Sequence, residues 1–210
     1  MDETRAKILT TAFTLFTKYG IRNVSMDDIA REMGISKKTL YQHIDNKAEL
    51  LYKTMNMHFE QECSATNQIF TENGNAIDEM LDIAVHVSRQ LSSINPITAY
   101  EIKKYYPDCW TLFEQHRTQF IGSSILNNLH KGIEQGMYRN NLKPDLVVRF
   151  YLSLIENIID PNLTEGNYAP LNIFFELITY HLHAITTTSG LAYCIENIEK
   201  VKQEQYAKYF

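Results

Sequence analysis

No stretch of this chain approaches the roughly eighteen uninterrupted apolar residues that a membrane span needs, so a membrane-spanning protein is not expected. Its first residues, MDETRAKIL, lack the basic flank and apolar run of a signal peptide, and the expected location is the cytoplasm. Cysteine is scarce. Cys63, Cys109 and Cys194 are scattered and odd in number, which argues against a disulfide framework and fits reduced thiols used for packing. Catalytic signatures are missing too: there is no E-x-x-H pair for a di-metal bundle, no G-x-x-x-x-G-K phosphate loop and no G-x-S-x-G elbow. His181 and His183, two residues apart on an apolar helix, point to opposite faces and cannot share a metal. Neither an enzyme nor a cofactor is expected. A surplus of positive charge is also absent. The net charge of -5 argues against blanket affinity for polyanions. Residues 1 to 50 hold eight Lys or Arg against seven Asp or Glu, a balance of +1, whereas the remainder holds 12 against 18, or -6. Only the front of the chain can face a polyanion comfortably.

What is present is concentrated in residues 25 to 47, SMDDIAREMGISKKTLYQHIDNK. Ser25 is a good N-cap, and Asp27 and Asp28 follow where a helix dipole favours negative charge. Ile29, Ala30 and Met33 recur at helical spacing, and Gly34 then supplies a residue that can end the helix in the left-handed region. Ile35 plugs the corner, Ser36 caps a second helix, and KKTLYQHI continues it with Leu40 and Ile44 as its apolar anchors. This is the pattern of a helix-turn-helix. With Leu40 turned inward, Lys38 and Gln42 lie about 200° around the helix and point away from the domain, as base-reading groups must. Lys donates to guanine acceptors and Gln pairs with adenine. Lys37 with Tyr41, and Thr39 with His43, flank them at i, i+4, suited to the phosphates that line a major groove. Asp45 or Asn46 can cap a third helix, whose free N-H groups and Lys47 would grip one further phosphate. Ahead of all this, residues 4 to 19 place Ile8, Ala12, Phe16 and Tyr19 on one stripe, broadened by Leu9, Phe13 and Leu15.

From Arg5 to about Leu51 the chain resembles the TetR family of transcriptional regulators, in an apolar helix ending LFTKYG, then DDIAREMGIS, then KKTLYQHIDNKAELL. The resemblance implies that Ser25 and Met26 lie near the DNA backbone, that Lys37, Lys38, Thr39 and Gln42 approach bases, and that Tyr41, His43 and Lys47 hold phosphates. Two positions depart from the family pattern: Lys38, where many members have Gly, and Ile44, where many have an aromatic residue. Asp27 is also an unexpected charge for a surface that meets a polyanion.

Beyond residue 50 the chain reads as helical, broken at Asn73-Gly74-Asn75, Asn95-Pro96, Tyr106-Pro107, Gly136 to Pro144 and Asp160 to Pro170, with no strand alternation. The expected fold is all-α. A three-helix DNA-binding domain spans 1–50, and a larger helical domain for effector binding and dimerisation spans 51–210. GMYRNNL at 136 to 142 is a turn of a type the family often shows. Residues 145 to 159 and 171 to 185 are apolar around more than one face, which suggests burial against a second copy, or the core of a monomer. In the family the corresponding helices form a four-helix dimer interface. The tail from Leu191 to Phe210 adds an amphipathic helix. Aromatics concentrate in the middle of the chain, and Phe59, Tyr100, Trp110, Phe113 and His116 are candidates for an effector pocket, against the plainer reading of two packed helices.

The expectation is a homodimeric regulator, a repressor that binds a palindromic double-stranded operator and is released by a small molecule of unknown identity. The alternative is a DNA-bound interaction protein, answering to a protein partner and lacking a small-molecule effector.

Overall fold

The computed structural model describes residues 3–72, 74–91, 94–95, 97–158 and 170–209. Among them the chain is helical apart from turns and one isolated antiparallel bridge between Tyr138 and Thr186. The helices are α1 (Glu3–Tyr19), α2 (Met26–Glu32), α3 (Lys37–Tyr41), α4 (Lys47–Glu72), α5 (Ala76–Leu91), α6 (Ile97–Tyr105) and α7 (Pro107–Gln115). A π-helical turn, His116–Ile121, leads into α8 (Gly122–Glu134), and α9 (Pro144–Ile158), α10 (Pro170–Ile185) and α11 (Thr188–Tyr209) follow. No helix among the described residues is long and apolar enough to cross a membrane.

Most of the helix breaks fall where Gly, Pro and Asn interrupt the pattern, since each of those residues removes a donor or favours a non-helical backbone. Asn73, Pro96 and most of the break from Asp160 to Pro170 lie outside the described residues, as do Ile159 and Phe210 at the ends of two expected helices. Three features carried no sequence signal: the π-helical turn, which joins α7 to α8 without a break, the bridge at Tyr138, and the break between α10 and α11 at Thr186 and Thr187.

The helices gather into two compact units. The first holds α1 to α3, α4 as far as Ser64, α6 and α7. Its core is Ile8, Phe16, Ile21, Ile29, Leu40, Ile44, Leu50 and Cys109, all buried. The α1 stripe is confirmed at Ile8, Leu9, Ala12 and Phe16. It ends there, because Tyr19 is 47% exposed, with the Lys18 ammonium over its ring.

The second unit holds α5, α8 to α11 and the rest of α4. Its core is built on Ile77, Met80, Leu129, Tyr138, Tyr151, Phe174, Phe175, Ile178 and Leu182. The GMYRNNL turn works by close approach. Gly136 takes φ +70°, and the Tyr138 ring lies so near Gly132 that a Cβ there would come within 2.1 Å of it. Beneath the ring the Asn128 amide donates to the Ala76 carbonyl and to the buried Glu79 carboxylate, both at 2.8 Å, while Lys131 pairs with Glu79. Every group in that cluster has a partner, as buried polar groups require. Cys109 and Cys194 are buried and Cys63 is half-buried, all three as free thiols. Burial raises the Cys109 and Cys194 thiols to about 11, which leaves both protonated and unreactive near neutral pH.

Candidate DNA interface

The first helix of the motif, α2, is positioned from both ends. At Ser25 a capping box forms: the Asp28 N-H donates to the Ser25 hydroxyl at 3.1 Å and the Ser25 N-H donates to the Asp28 carboxylate at 2.9 Å. The Ser25 hydroxyl, donating to the Asp28 carboxylate at 2.6 Å, together with the Ser25 N-H and the Arg31 guanidinium, holds Asp28 below the usual carboxylate range. At the other end Gly34 adopts φ +66°, the Ile35 N-H reaches back to the Ala30 carbonyl at 3.0 Å, and the Gly34 N-H reaches the Arg31 carbonyl at 3.1 Å. That pair of bonds is a Schellman closure. It fixes the angle at which α3 departs.

Helix α3 is shorter than expected. It ends at Tyr41, and Gln42 is its C-cap in helical conformation, so the 100° spacing still applies to Gln42. Leu40 and Ile44 are buried at 0% and 1%, as their apolar spacing requires. Lys37, Lys38, Tyr41 and Gln42 are exposed, and Thr39 and His43 half-buried. The Thr39 hydroxyl is tied to the Ser36 hydroxyl at 2.8 Å, while Ser36 also accepts the Thr39 N-H. Ser25 is exposed but Met26 is buried, so Met26 can offer a phosphate only its backbone.

The third cap resolves to Asn46, whose side-chain oxygen accepts the Glu49 N-H at 2.9 Å, while the Glu49 carboxylate accepts the Asp45 N-H at 2.6 Å. Lys47 is placed differently from a free surface lysine. It is half-buried with its ammonium 5.9 Å from the Phe16 ring centre. Burial lowers its pKa, opposed by the charges of Glu101 and Asp28.

Two residues outside the expected set shape this surface. Asp27, on the first turn of α2, forms an ion pair at 2.7 Å with Lys37 on the first turn of α3. Glu101, on α6 and 4% exposed, accepts the backbone N-H groups of Ile21 at 2.7 Å and Arg22 at 3.1 Å. It thereby holds the turn that launches α2. Arg22 in turn lies over the Tyr105 ring at 4.7 Å. The contact between Glu101 and the turn spans 80 residues of sequence, and no local motif announces it.

Four of the five nominated pocket residues come together in the first unit. Phe59 stacks on His116 at 4.3 Å and lies 6.4 Å from Phe113, which meets Trp110 at 5.1 Å. Burial lowers the His116 pKa, and its Nδ1 is 3.9 Å from the Cys63 sulfur. Tyr100 stands apart, 47% exposed and accepting from Lys104. None of the five lines either of two described cavities. One is an open groove of about 650 Å³ between the start of α4 and α6–α7, bordered by Tyr52, Tyr105, Tyr106 and Leu112. The other, of about 500 Å³, lies in the second unit between α9 and α10, bordered by Phe150, Tyr151, Tyr180 and His181. Among the described residues no group of three or more His, Cys, Asp or Glu is arranged to hold a metal ion.

Residues 8–53 match the family described as bacterial regulatory proteins, tetR family. A HTH-type transcriptional regulator of Bacillus subtilis, YvaF, itself uncharacterised, is 26% identical over 159 residues, covering 74% of this chain and 80% of its own. Among solved structures, a transcriptional regulator from Saccharomonospora viridis in complex with choline superposes with a TM-score of 0.71 at 19% identity, over 89% of this chain and all of the other. A transcriptional regulator from Cytophaga hutchinsonii gives 0.73 at 17%, also over 89% of this chain and all of its own. Residues 8–53 thus carry the DNA-binding domain of the tetR family, and the fold is shared with solved transcriptional regulators along most of the chain.

Proposed function

We propose that this chain is a TetR-family transcriptional regulator, a repressor that binds a palindromic operator as a homodimer and leaves it when a small molecule binds. The observation that carries the DNA half is the division of α3 and the turn after it, with Leu40 and Ile44 buried and Lys38 and Gln42 exposed. In this reading Lys37, Lys38, Thr39 and Gln42 approach base edges. Ser25, the Met26 backbone, Tyr41, His43 and Lys47 meet phosphates. Residues 1–50 form the DNA-binding domain and 51–210 serve effector binding and dimerisation.

The ring cluster supports the effector half. Phe59 sits on α4, the same helix that begins at Lys47 beside the recognition surface, and it faces Phe113 and His116. A molecule that parts these rings moves α4, and two recognition helices must stand about 34 to 36 Å apart to enter successive major grooves. Release requires only that the molecule bind the mismatched spacing more tightly than the matched one. The similar fold crystallised with choline is a precedent for a small ligand on such a scaffold.

The test is to pass the full-length protein over fragmented genomic DNA at physiological salt, sequence what is retained, and then screen small molecules for release of the recovered sites. A recurrent palindrome and a releasing compound are expected. Tight binding to a palindrome that no metabolite disturbs would transfer the reading to a regulator controlled by a protein partner. Retention without any motif would remove the operator.

A further inference from the structure

Asp27 sits where a DNA-binding surface has least use for negative charge, and its position is not explained by capping. Asp28 already closes the box with Ser25 and pairs with Arg31. Asp27 instead reaches from α2 to α3, its carboxylate 2.7 Å from the Lys37 ammonium, with both side chains more than half exposed at 57% and 58%. A pair so exposed adds little to stability. Its effect falls on what Lys37 can do. Lys37 is the first residue of α3, and the N-terminal residues of a recognition helix are those that meet base edges.

We propose that Asp27 is a specificity-determining residue that acts through Lys37. The inference rests on the reading of α3 as the recognition helix. In the free protein the carboxylate neutralises the ammonium, so Lys37 releases no counterion from an arbitrary phosphate. The carboxylate also repels the backbone of every sequence alike. At a matching site the situation changes, because an ammonium has three donors. One stays on Asp27 and braces the side chain while another reaches a base acceptor, the O6 or N7 of guanine. Asp27 therefore weakens binding to arbitrary DNA more than binding to the operator, and the difference between those losses is discrimination. A domain with a balance of only +1 over its first 50 residues follows the same logic on a larger scale.

The test compares the full-length wild type with Asp27→Asn, Asp27→Glu, Lys37→Ala and the Asp27→Asn/Lys37→Ala double variant. Each is titrated with the recovered operator and with scrambled DNA of equal length over a range of salt. Asp27→Asn is expected to bind scrambled DNA about fivefold more tightly and to steepen its log K against log salt slope by roughly 0.9 per protomer, one extra phosphate neutralised. The ratio of operator to scrambled affinity should fall, by up to about fivefold, and Asp27→Glu should restore it. In the Lys37→Ala background the same change should leave the slope unaltered. An unchanged ratio and slope in Asp27→Asn would overturn the proposal. So would a proportional loss on both DNAs with a lowered melting temperature, or an equal effect with and without Lys37. A wild type that binds operator and scrambled DNA alike would remove the reading of α3, and the proposal with it.

Discussion

Gln42 and Lys47 lie five residues apart and carry different loads. Gln42 is exposed at the end of α3 with its backbone still helical, and its removal should relax preference at particular base pairs. Gln42→Ala or Lys38→Ala is therefore expected to change the selected operator sequence at one or two positions per half-site, at about 1–3 kcal/mol of discrimination for a bidentate contact. A uniform loss on all sequences would refute the base-reading role. Lys47 is half-buried along Phe16, so Lys47→Ala removes packing as well as charge. If it grips a phosphate, the salt slope should flatten by roughly 0.9 per protomer. A lowered melting temperature with an unchanged slope would make it a packing residue. His181 gives a prediction of a different kind. It is buried, its Nε2 without a hydrogen-bond partner among the described residues, and burial lowers its pKa to about 4. The unfolded chain takes up a proton below about 6.5 and the folded chain does not until about 4, so the contribution is lost as pH falls through that window. Between pH 7 and 5 wild type should lose about 2 kcal/mol more stability than His181→Phe, at about 1.4 kcal/mol per pH unit. Urea titrations at the two pH values would show it, and equal losses would mean that the imidazole finds a partner in solution.

At the scale of elements, what the sequence conveyed and what it hid separate by distance along the chain. The cap at Ser25, the Schellman turn at Gly34 and the inward pair Leu40 and Ile44 were all legible, because each depends on residues within one or two turns. The end of α3 at Tyr41 was not, since an apolar spacing continues through Ile44 whether or not the helix does. Four of the five pocket candidates converge from α4, α7 and the start of the π-helical turn, while Tyr100, chosen on the same grounds of residue type, faces outward. Composition places aromatics near one another without saying which way they turn. Glu101 is the extreme case, 80 residues from the backbone it holds. Glu101→Ala leaves the buried Ile21 N-H and its neighbour without an acceptor, at about 1–3 kcal/mol for each group left unsatisfied. Glu101→Gln keeps a neutral acceptor and should cost less. The expected result is that Glu101→Ala lowers the melting temperature and loosens the α1–α2 turn, read as faster amide exchange at Ile21 and Arg22. If exchange at those two amides is no faster, the carboxylate is not what holds the turn.

For the whole molecule the decisive surface is the one between α9 and α10. Phe150 is 66% exposed and Tyr180 70%, with Leu146 and Leu154 also exposed beside them. Both helices were expected from sequence to be too apolar for an ordinary surface, and the exposed rings show which face of each the second unit leaves uncovered. A symmetric dimer would bring this face against its own copy, so any substitution enters the contact twice. Phe150→Glu therefore puts two charges into one apolar contact, where an unpaired buried charge costs several kcal/mol, enough to separate the subunits at micromolar concentration. Sedimentation should then report a monomer where the wild type reports a dimer, with the secondary structure unchanged. Operator affinity should fall to that of a half-site, since a single recognition helix reads only one half-site and the second half no longer adds to it. A Phe150→Glu protein that remains dimeric and binds the full palindrome as wild type would place the dimer contact elsewhere, and the exposed rings of α9 and α10 would then need a different partner.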